Sequence, residues 1–142
     1  RKKLNKPIPV THKDMTRFWI TLNQAANLAI NCLRIMQGSE IFVPKLPSFK
    51  ILDLAKSFDS EIFFSGIRKG EKLHEALIAK EEKRNCYFCK KENVFLIKDF
   101  SSKKKFKLSN YIFEKVKDDY LDYDSNINDQ IMSISDLKKI IK

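Results

Sequence analysis

Glycine and cysteine are scarce in this chain, and long apolar runs are absent from it. Only three of its 142 residues are glycine, and they do not form the glycine-rich turn that cradles a dinucleotide. The three cysteines, Cys32, Cys86 and Cys89, fit reduced thiols better than a disulfide framework. No apolar run has the length of a membrane span, and no stretch has the pattern of a secretory signal. The sequence therefore predicts a cytoplasmic protein.

Charge is plentiful, and the balance is basic. The net charge is +10, and hydrophobic residues make up 43% of the chain, enough for a packed core. The densest basic run is Lys103 to Lys105, with Phe100 and Phe106 beside it, and such a run can bind single-stranded nucleic acid through charge and stacking. Because the other lysines are dispersed, solvated surface charge explains most of them. A small nucleic-acid-binding module using Lys103 to Lys107 is therefore the alternative, and nucleic acid is not the expected partner.

A strand-to-helix turn is predicted at residues 66–75. An apolar strand over residues 61–67 comes before it, and helical spacing after it predicts a helix over residues 71–82. Arg68 then lies near the helix start, where a guanidinium and free amides suit a phosphate or diphosphate. Glu71 fits the helix dipole, or else accepts hydrogen bonds from a sugar hydroxyl. The same pattern, taken alone, is also typical of a solvated loop.

The order of elements over the first 82 residues predicts an α/β fold. Thr21 and Gln24 form a capping box, which predicts a helix from Leu22 that Gly38 terminates. Its apolar stripe is predicted to be Leu22, Ala25, Ala26, Ala29, Leu33 and Met36. The other predicted segments are extended chain at 7–10 and 15–20, strands at 41–43 and 94–97, helices at 51–58, 111–117 and 135–142, a loop at 101–107 and irregular chain at 118–128.

Three co-linear segments together carry a resemblance to a known family. They are DMTRFWITLNQA (14–25), SEIFVPKLPSFKILDLA (39–55) and GIRKGEKLHEALI (66–78). They resemble the C-terminal half of the inverting UDP-N-acetylglucosamine 4,6-dehydratases, in the extended short-chain dehydrogenase/reductase superfamily. The match is dense over residues 7–82 and looser over residues 83–142. The resemblance implies an α/β fold in which residues 1–142 are the substrate-binding region of a Rossmann-type enzyme, with the N-terminal cofactor-binding half absent. The start at Arg1, not Met, agrees with the interior of a longer protein.

The resemblance also implies the residues that hold the substrate. Arg17 and Arg68 match the motif arginines and would clamp the UDP diphosphate, which two guanidiniums from separate segments can neutralise. Glu71 would brace Arg68 or a ribose hydroxyl. Thr11 falls where relatives line the uracil, and Tyr123 falls near a closing-segment position that approaches substrate.

One position departs from the family pattern. Relatives usually carry proline after the motif arginine, where this chain has Lys69. The substitution removes rigidity from the turn and adds a positive charge. It therefore puts the loop geometry in question more than the role of Arg68.

The family chemistry implied by the resemblance is oxidation at C4 by a tightly held NADP, loss of water across C5 and C6, and return of hydride at C6. The Tyr-x-x-x-Lys pair and the NADP site belong to the absent half, so no catalytic, cofactor-binding or metal-binding residue is assigned to this chain. The intact protein is expected to be a lyase of surface polysaccharide or flagellin-sugar biosynthesis and a homo-oligomer. Its partners would be a UDP-sugar and the Rossmann half; the chain alone is expected to be inactive. A further alternative is an inactive remnant that serves only as an interaction surface.

Two motifs have the spacing of a functional site without its context. Tyr111 and Lys115 are spaced as in the catalytic pair, but they follow the substrate motifs, whereas the family's pair precedes them; one turn of amphipathic helix is the expected alternative. Cys86 and Cys89 could be half of a zinc site or a redox pair, yet no second Cys or His pair has suitable spacing. His74 is expected at a helix surface or interface.

Overall fold

The computed structural model describes residues 1–98, 105–116 and 123–141. Its α-helices are α1 (Leu22–Ile35), α2 (Ile51–Ser57) and α3 (Ile134–Ile140). Short 3-10 segments lie at Lys2–Leu4 and Lys80–Asn85. The strands are β1 (Ile8–Val10), β2 (Thr16–Phe18), β3 (Ile41–Pro44), β4 (Ser48–Lys50), β5 (Ile62–Phe64), β6 (Ala76–Ile78), β7 (Cys86–Cys89), β8 (Val94–Ile97), β9 (Lys105–Leu108), β10 (Tyr111–Lys115) and β11 (Tyr123–Asp124).

The described residues form two compact units. The first unit comprises residues 1–19, 46–75 and 124–142, and the second comprises residues 20–45 and 76–123. Parallel and antiparallel strand pairs occur together with helices, so the predicted α/β class is confirmed. Each unit is described separately below.

Short strand pairs and two helices make up the first unit. Strand β1 pairs in parallel with β5, and β2 pairs antiparallel with β4. The prolines that flank Ile8 prevent a helix there, and the predicted extended segments at 7–10 and 15–20 are confirmed as β1 and β2. Helix α2 packs against α3. The large buried apolar side chains of this unit are Val10, Met15, Phe49 and Leu137.

The closing segment of the chain belongs to the first unit. The Ser48 amide donates to the Gln130 carbonyl at 2.8 Å, and the Met132 amide donates to the Ser48 carbonyl at 2.8 Å. A capping box then starts α3: the Ser133 hydroxyl accepts from the Asp136 amide, and the Asp136 carboxylate accepts from the Ser133 amide. The predicted last helix is therefore confirmed, one residue earlier than expected at its start.

A five-stranded antiparallel sheet forms the second unit, in the order β3-β8-β7-β10-β9. Its core is a cluster of buried side chains: Tyr87, Cys89, Val94, Leu96, Leu108 and Phe113. Leu28 and Ile35 of α1 pack against this cluster. Strand β8 is buried at all four positions, because Val94 and Leu96 lie in this cluster on one face and Phe95 packs against Phe88 and Tyr123 on the other.

The capping box of α1 is confirmed, but its predicted apolar stripe is wrong. The Thr21 hydroxyl accepts from the Gln24 amide, and the helix begins at Leu22. Leu22 is 84% exposed and Leu33 is 71% exposed. The less exposed side of the helix instead follows the spacing of Ala25, Leu28, Cys32 and Ile35. The helix ends at Ile35, before the predicted stop at Gly38.

Two predicted helices are strands or irregular chain in the structure. Residues 71–82 contain β6 and the start of a 3-10 segment, because side chains distant in sequence already bond the backbone groups at residues 72, 73 and 75 that an α-helix needs. Residues 111–115 form β10, paired with β7 and β9. Their apolar residues alternate across the sheet, with Phe113 at 0% and Ile112 at 51% exposure.

The remaining predictions concern loops. The loop predicted at 101–107 gives way to β9 from Lys105 onward, and residues 101–104 lie outside the described residues. The chain predicted as irregular at 118–128 contains β11, and its residues 118–122 are also not described. The strands predicted at 41–43 and 94–97 and the helix at 51–58 are confirmed as β3, β8 and α2.

Candidate functional site

The segment that carries Arg68 is a tight turn, not a helix start. The Glu71 amide donates to the Arg68 carbonyl at 3.0 Å, and Gly70 has a φ of +80°. A positive φ at the third position with this hydrogen bond is the geometry of a type II β-turn. Because no helix follows, the prediction that helix amides and a helix dipole assist Arg68 and Glu71 is wrong.

Lys69 occupies the second position of this turn, which is the position that proline favours in type II turns. The turn therefore forms with a lysine at this position. Glu71 stabilises it from the other side, because its carboxylate accepts a hydrogen bond from the Arg68 amide at 3.1 Å. The turn backbone at Arg68 is thus held at both its N–H and its C=O.

The Arg68 side chain is exposed and makes no hydrogen bond or ion pair with any residue in the described ranges. Its five N–H donors are consequently free for an oxyanion. Lys69 and Lys72 lie beside it in the chain and are also exposed. The turn therefore presents three positive charges, of Arg68, Lys69 and Lys72, with the single carboxylate of Glu71 among them.

Arg17, on β2, is bonded to the chain that follows this turn. Its Nη2 donates to the Lys72 carbonyl at 2.8 Å, and its Nη1 donates to the Leu73 carbonyl at 3.2 Å. Nη1 also donates to the Thr16 carbonyl at 2.6 Å, and Nε lies 3.6 Å from a Glu75 carboxylate oxygen. The structure therefore brings Arg17 to the loop of Arg68, where it donates to the Lys72 and Leu73 carbonyls, in addition to the Thr16 carbonyl of its own strand.

A buried group of hydroxyls lies next to Arg17, and no local pattern in the sequence predicted it. The Thr16 hydroxyl contacts the Ser125 hydroxyl at 2.6 Å and His74 Nδ1 at 2.8 Å. Ser125 also bonds both backbone groups of Glu75: its Oγ accepts from the Glu75 amide, and its amide donates to the Glu75 carbonyl, each at 2.9 Å. His74 is thus half-buried and bonded within the first unit, and its predicted position on a helix is wrong.

The two remaining predicted site residues, Thr11 and Tyr123, belong to different units. The Thr11 hydroxyl donates to Met15 Sδ at 3.1 Å in the first unit. Tyr123 belongs to the second unit, is 5% exposed, and donates its hydroxyl to the Pro44 carbonyl at 3.2 Å. Its ring packs 5.1 Å from that of Phe95. The predicted roles of both residues toward a ligand stay predictions.

The two motifs that were singled out by their spacing both lie on strands. Cys86 and Cys89 are buried in β7, and burial, followed by the charge of Glu82, raises the pKa of the Cys86 thiol to about 12. Within the described ranges, no group of three His, Cys, Asp or Glu side chains could hold a metal. Tyr111 and Lys115 lie on strand β10 and not on a helix.

Two findings concern alternative partners. In the part of the chain that the structure describes, no helix is long and apolar enough to cross a membrane. Part of the predicted nucleic-acid surface lies outside the described residues: Phe100, Lys103, Lys104 and the Phe106 side chain.

Comparison with known proteins identifies the family to which this mixed α/β fold belongs. Residues 1–98 match the family described as "Polysaccharide biosynthesis protein". The chain belongs to this family, within the extended short-chain dehydrogenase/reductase superfamily.

Individual relatives agree with this assignment. The chain is 34% identical to the UDP-N-acetylglucosamine 4,6-dehydratase (inverting) of Campylobacter jejuni, over 96% of this chain and 42% of the relative. It is 42% identical to the capsular polysaccharide biosynthesis protein CapD of Staphylococcus aureus, over 54% of this chain and 14% of CapD. The X-ray structure of Pen from Bacillus thuringiensis superposes with a TM-score of 0.80 at 28% identity, over 98% of this chain and 42% of Pen. The chain thus spans about two fifths of the length of the first relative and of Pen.

Proposed function

We propose that this chain supplies the nucleotide-sugar-binding part of a NADP-dependent UDP-N-acetylglucosamine 4,6-dehydratase of surface polysaccharide or flagellin-sugar biosynthesis. The Campylobacter jejuni relative bears that activity in its name, and its alignment takes in 96% of this chain. The family description agrees with the pathway. The whole enzyme would be a lyase that also contains the remaining three fifths of the relatives' length.

The observation that carries the proposal is the free guanidinium of Arg68 on a turn whose backbone is held in place. A diphosphate has two adjacent charged groups, and a planar guanidinium can bind their oxygens bidentately. Because Glu71 and Gly70 set the turn and Arg17 bonds the chain after it, Arg68 loses less conformational freedom on binding than a residue of a loose loop would.

The other predicted residues take subordinate roles in this proposal. Arg17 has three of its five donors on backbone carbonyls, so it would lend a remaining Nη2 hydrogen to the diphosphate while holding the loop. Glu71 would contribute indirectly, because its carboxylate stabilises the turn that carries Arg68. Thr11 near the uracil and Tyr123 near the substrate are carried over from the family resemblance alone.

The nicotinamide cofactor that the family implies does not fit the residues of this chain. The glycines Gly38, Gly66 and Gly70 are separated from one another in the sequence, with open space around each, and none forms part of a glycine-rich strand-to-helix turn. We therefore assign no cofactor contact to this chain. Its expected inactivity alone, its homo-oligomeric state and its cytoplasmic location stay predictions.

Calorimetric titration with UDP tests the proposal. Arg68→Ala should weaken UDP binding about 10- to 100-fold, because a hydrogen-bonded charged contact contributes about 1.5–3 kcal/mol. Arg34→Ala is the matched control, since Arg34 is an exposed arginine in the last turn of α1. Equal losses in both variants would refute the role of Arg68, and an unmodified chain that does not bind UDP would favour the interaction-remnant alternative.

A further inference from the structure

A chain of hydrogen bonds leads from the Glu75 backbone to the ring of His74. The Glu75 amide donates to Ser125 Oγ at 2.9 Å, Ser125 Oγ lies 2.6 Å from Thr16 Oγ1, and Thr16 Oγ1 lies 2.8 Å from His74 Nδ1. Ser125 is 0% exposed and Thr16 is 5% exposed. Water therefore does not substitute for a missing partner at the Ser125 hydroxyl.

The donor in each hydrogen bond of this series can be assigned by starting from the bond between the Glu75 amide and Ser125 Oγ. The Glu75 amide can only donate, so Ser125 Oγ accepts there, and the only partner toward which the Ser125 hydroxyl hydrogen can point among the described residues is Thr16 Oγ1. Thr16 Oγ1 therefore accepts the hydrogen bond from Ser125. The hydroxyl hydrogen of Thr16 is then donated to His74 Nδ1. The opposite direction would leave a buried hydroxyl hydrogen without an acceptor, which is unfavourable.

The neutral ring of His74 must therefore carry its proton on Nε2. No described residue forms a hydrogen bond with Nε2, and His74 is half-buried, not enclosed. Its two chain neighbours, Leu73 and Glu75, both contact the Arg17 guanidinium. An unused donor with a set orientation consequently lies within the loop that also carries Arg68.

We propose that His74 is a further ligand-binding residue, which donates from Nε2–H to a phosphate oxygen of a nucleoside diphosphate. This inference rests on the proposed function for the ligand class, and on the hydrogen-bond chain for the tautomer. His74 adds a neutral donor to the loop that carries Arg68, and the hydroxyls of Thr16 and Ser125 position its ring. Ser125 thereby couples the closing segment of the chain to the binding loop.

Nitrogen NMR of the ¹⁵N-labelled 142-residue chain tests the tautomer. Only two histidines are present, so His12→Gln leaves His74 as the single imidazole. The spectra are recorded about two pH units above the ordinary histidine pKa of about 6.5. The ¹⁵N chemical shifts should then show a protonated Nε2 and an unprotonated Nδ1, and addition of UDP should shift the Nε2 resonance. Thr16→Val, which removes the donor to Nδ1, should produce a mixture of both tautomers.

Two substitutions of His74, each tested by UDP titration, distinguish the roles of its ring nitrogens Nδ1 and Nε2. His74→Asn keeps an acceptor near the Nδ1 position and removes the Nε2 donor; it should weaken UDP binding about fivefold, the worth of one neutral hydrogen bond. His74→Gln keeps a donor near the Nε2 position and should retain more of the affinity.

The outcomes distinguish this inference from the proposed function. A proton on Nδ1, or UDP affinity unchanged in His74→Asn, would overturn the role of His74 while UDP binding by the unmodified chain still supports the proposed function. An unmodified chain that does not bind UDP overturns both, whichever tautomer is found.

Discussion

The two compact units bury different kinds of side chain. The polar residues that are buried as whole residues among those described are Thr16, Ser48, Ser57, Ser125 and Asn128, and all of them belong to the first unit. The second unit instead buries a continuous apolar cluster between its strands and α1. The unit that carries the candidate site therefore adds buried polar residues to its apolar core, whereas the described core of the other unit is an apolar cluster.

This difference has a physical consequence for function. Apolar packing stabilises in proportion to the area removed from water and depends weakly on direction. Hydrogen bonds contribute less each, but they set the orientation of the groups they join. The proposed function requires Arg17, His74 and the Arg68 turn to be oriented toward a ligand, and buried hydrogen bonds in their unit suit that requirement.

The largest effect is expected in the apolar unit. Phe113 is 0% exposed in the cluster, and Phe113→Ala should lower the free energy of unfolding by about 3–5 kcal/mol through lost burial and a cavity. Ile112→Ala is the control on the same strand, since Ile112 is 51% exposed and should cost less than about 1 kcal/mol. Urea unfolding measures both; similar losses would show that the sheet core is not where stability lies.

An intermediate effect is expected in the polar unit. Ser125→Ala removes the partner of the Glu75 amide and of the Thr16 hydroxyl, which should cost about 1–3 kcal/mol. Ser48→Ala is a matched control, because Ser48 is also 0% exposed but its hydroxyl has no described partner. That substitution should be neutral or stabilising. If both variants unfold alike, the hydrogen-bond chain contributes no stability.

The smallest effect is a pH dependence in the second unit. The Glu40 side chain is 0% exposed; burial opposes its ionisation, but hydrogen bonds from Lys98 Nζ at 2.6 Å and from the Gly38 and Gln37 amides outweigh burial and lower its pKa. Because the folded pKa lies below the ordinary value of 4.5, the stabilisation is present above pH 4.5 and is lost as the pH falls through the folded pKa.

Urea midpoints measured from neutral pH downward test this dependence. The unmodified chain should lose more stability below about pH 4.5 than Glu40→Gln, whose side chain does not titrate in this range. Glu81→Gln, at an exposed glutamate, should follow the unmodified chain. Parallel curves for all three proteins would contradict the assigned role of Glu40.

Local signals in the sequence were reliable where neighbours in the chain make the decisive contacts. The capping box at Thr21 starts α1 as predicted, and the one at Ser133 starts α3 one residue before the predicted position. The turn predicted within residues 66–75 is also present, and Gly66 and Gly70, on either side of Arg68, both have the positive φ that favours glycine. The motif resemblance also predicted the family that the comparisons identify.

Contacts between distant residues decided the rest. The helical spacing after Glu71 did not produce a helix, because Arg17 and Ser125 bond the backbone of that segment. Thr16 and Ser125 are 109 positions apart, so no window of sequence could link them to His74. Composition, capping residues and motif arginines are properties of the chain itself, whereas strand pairing and the tautomer of a histidine depend on which distant groups folding brings within hydrogen-bonding distance.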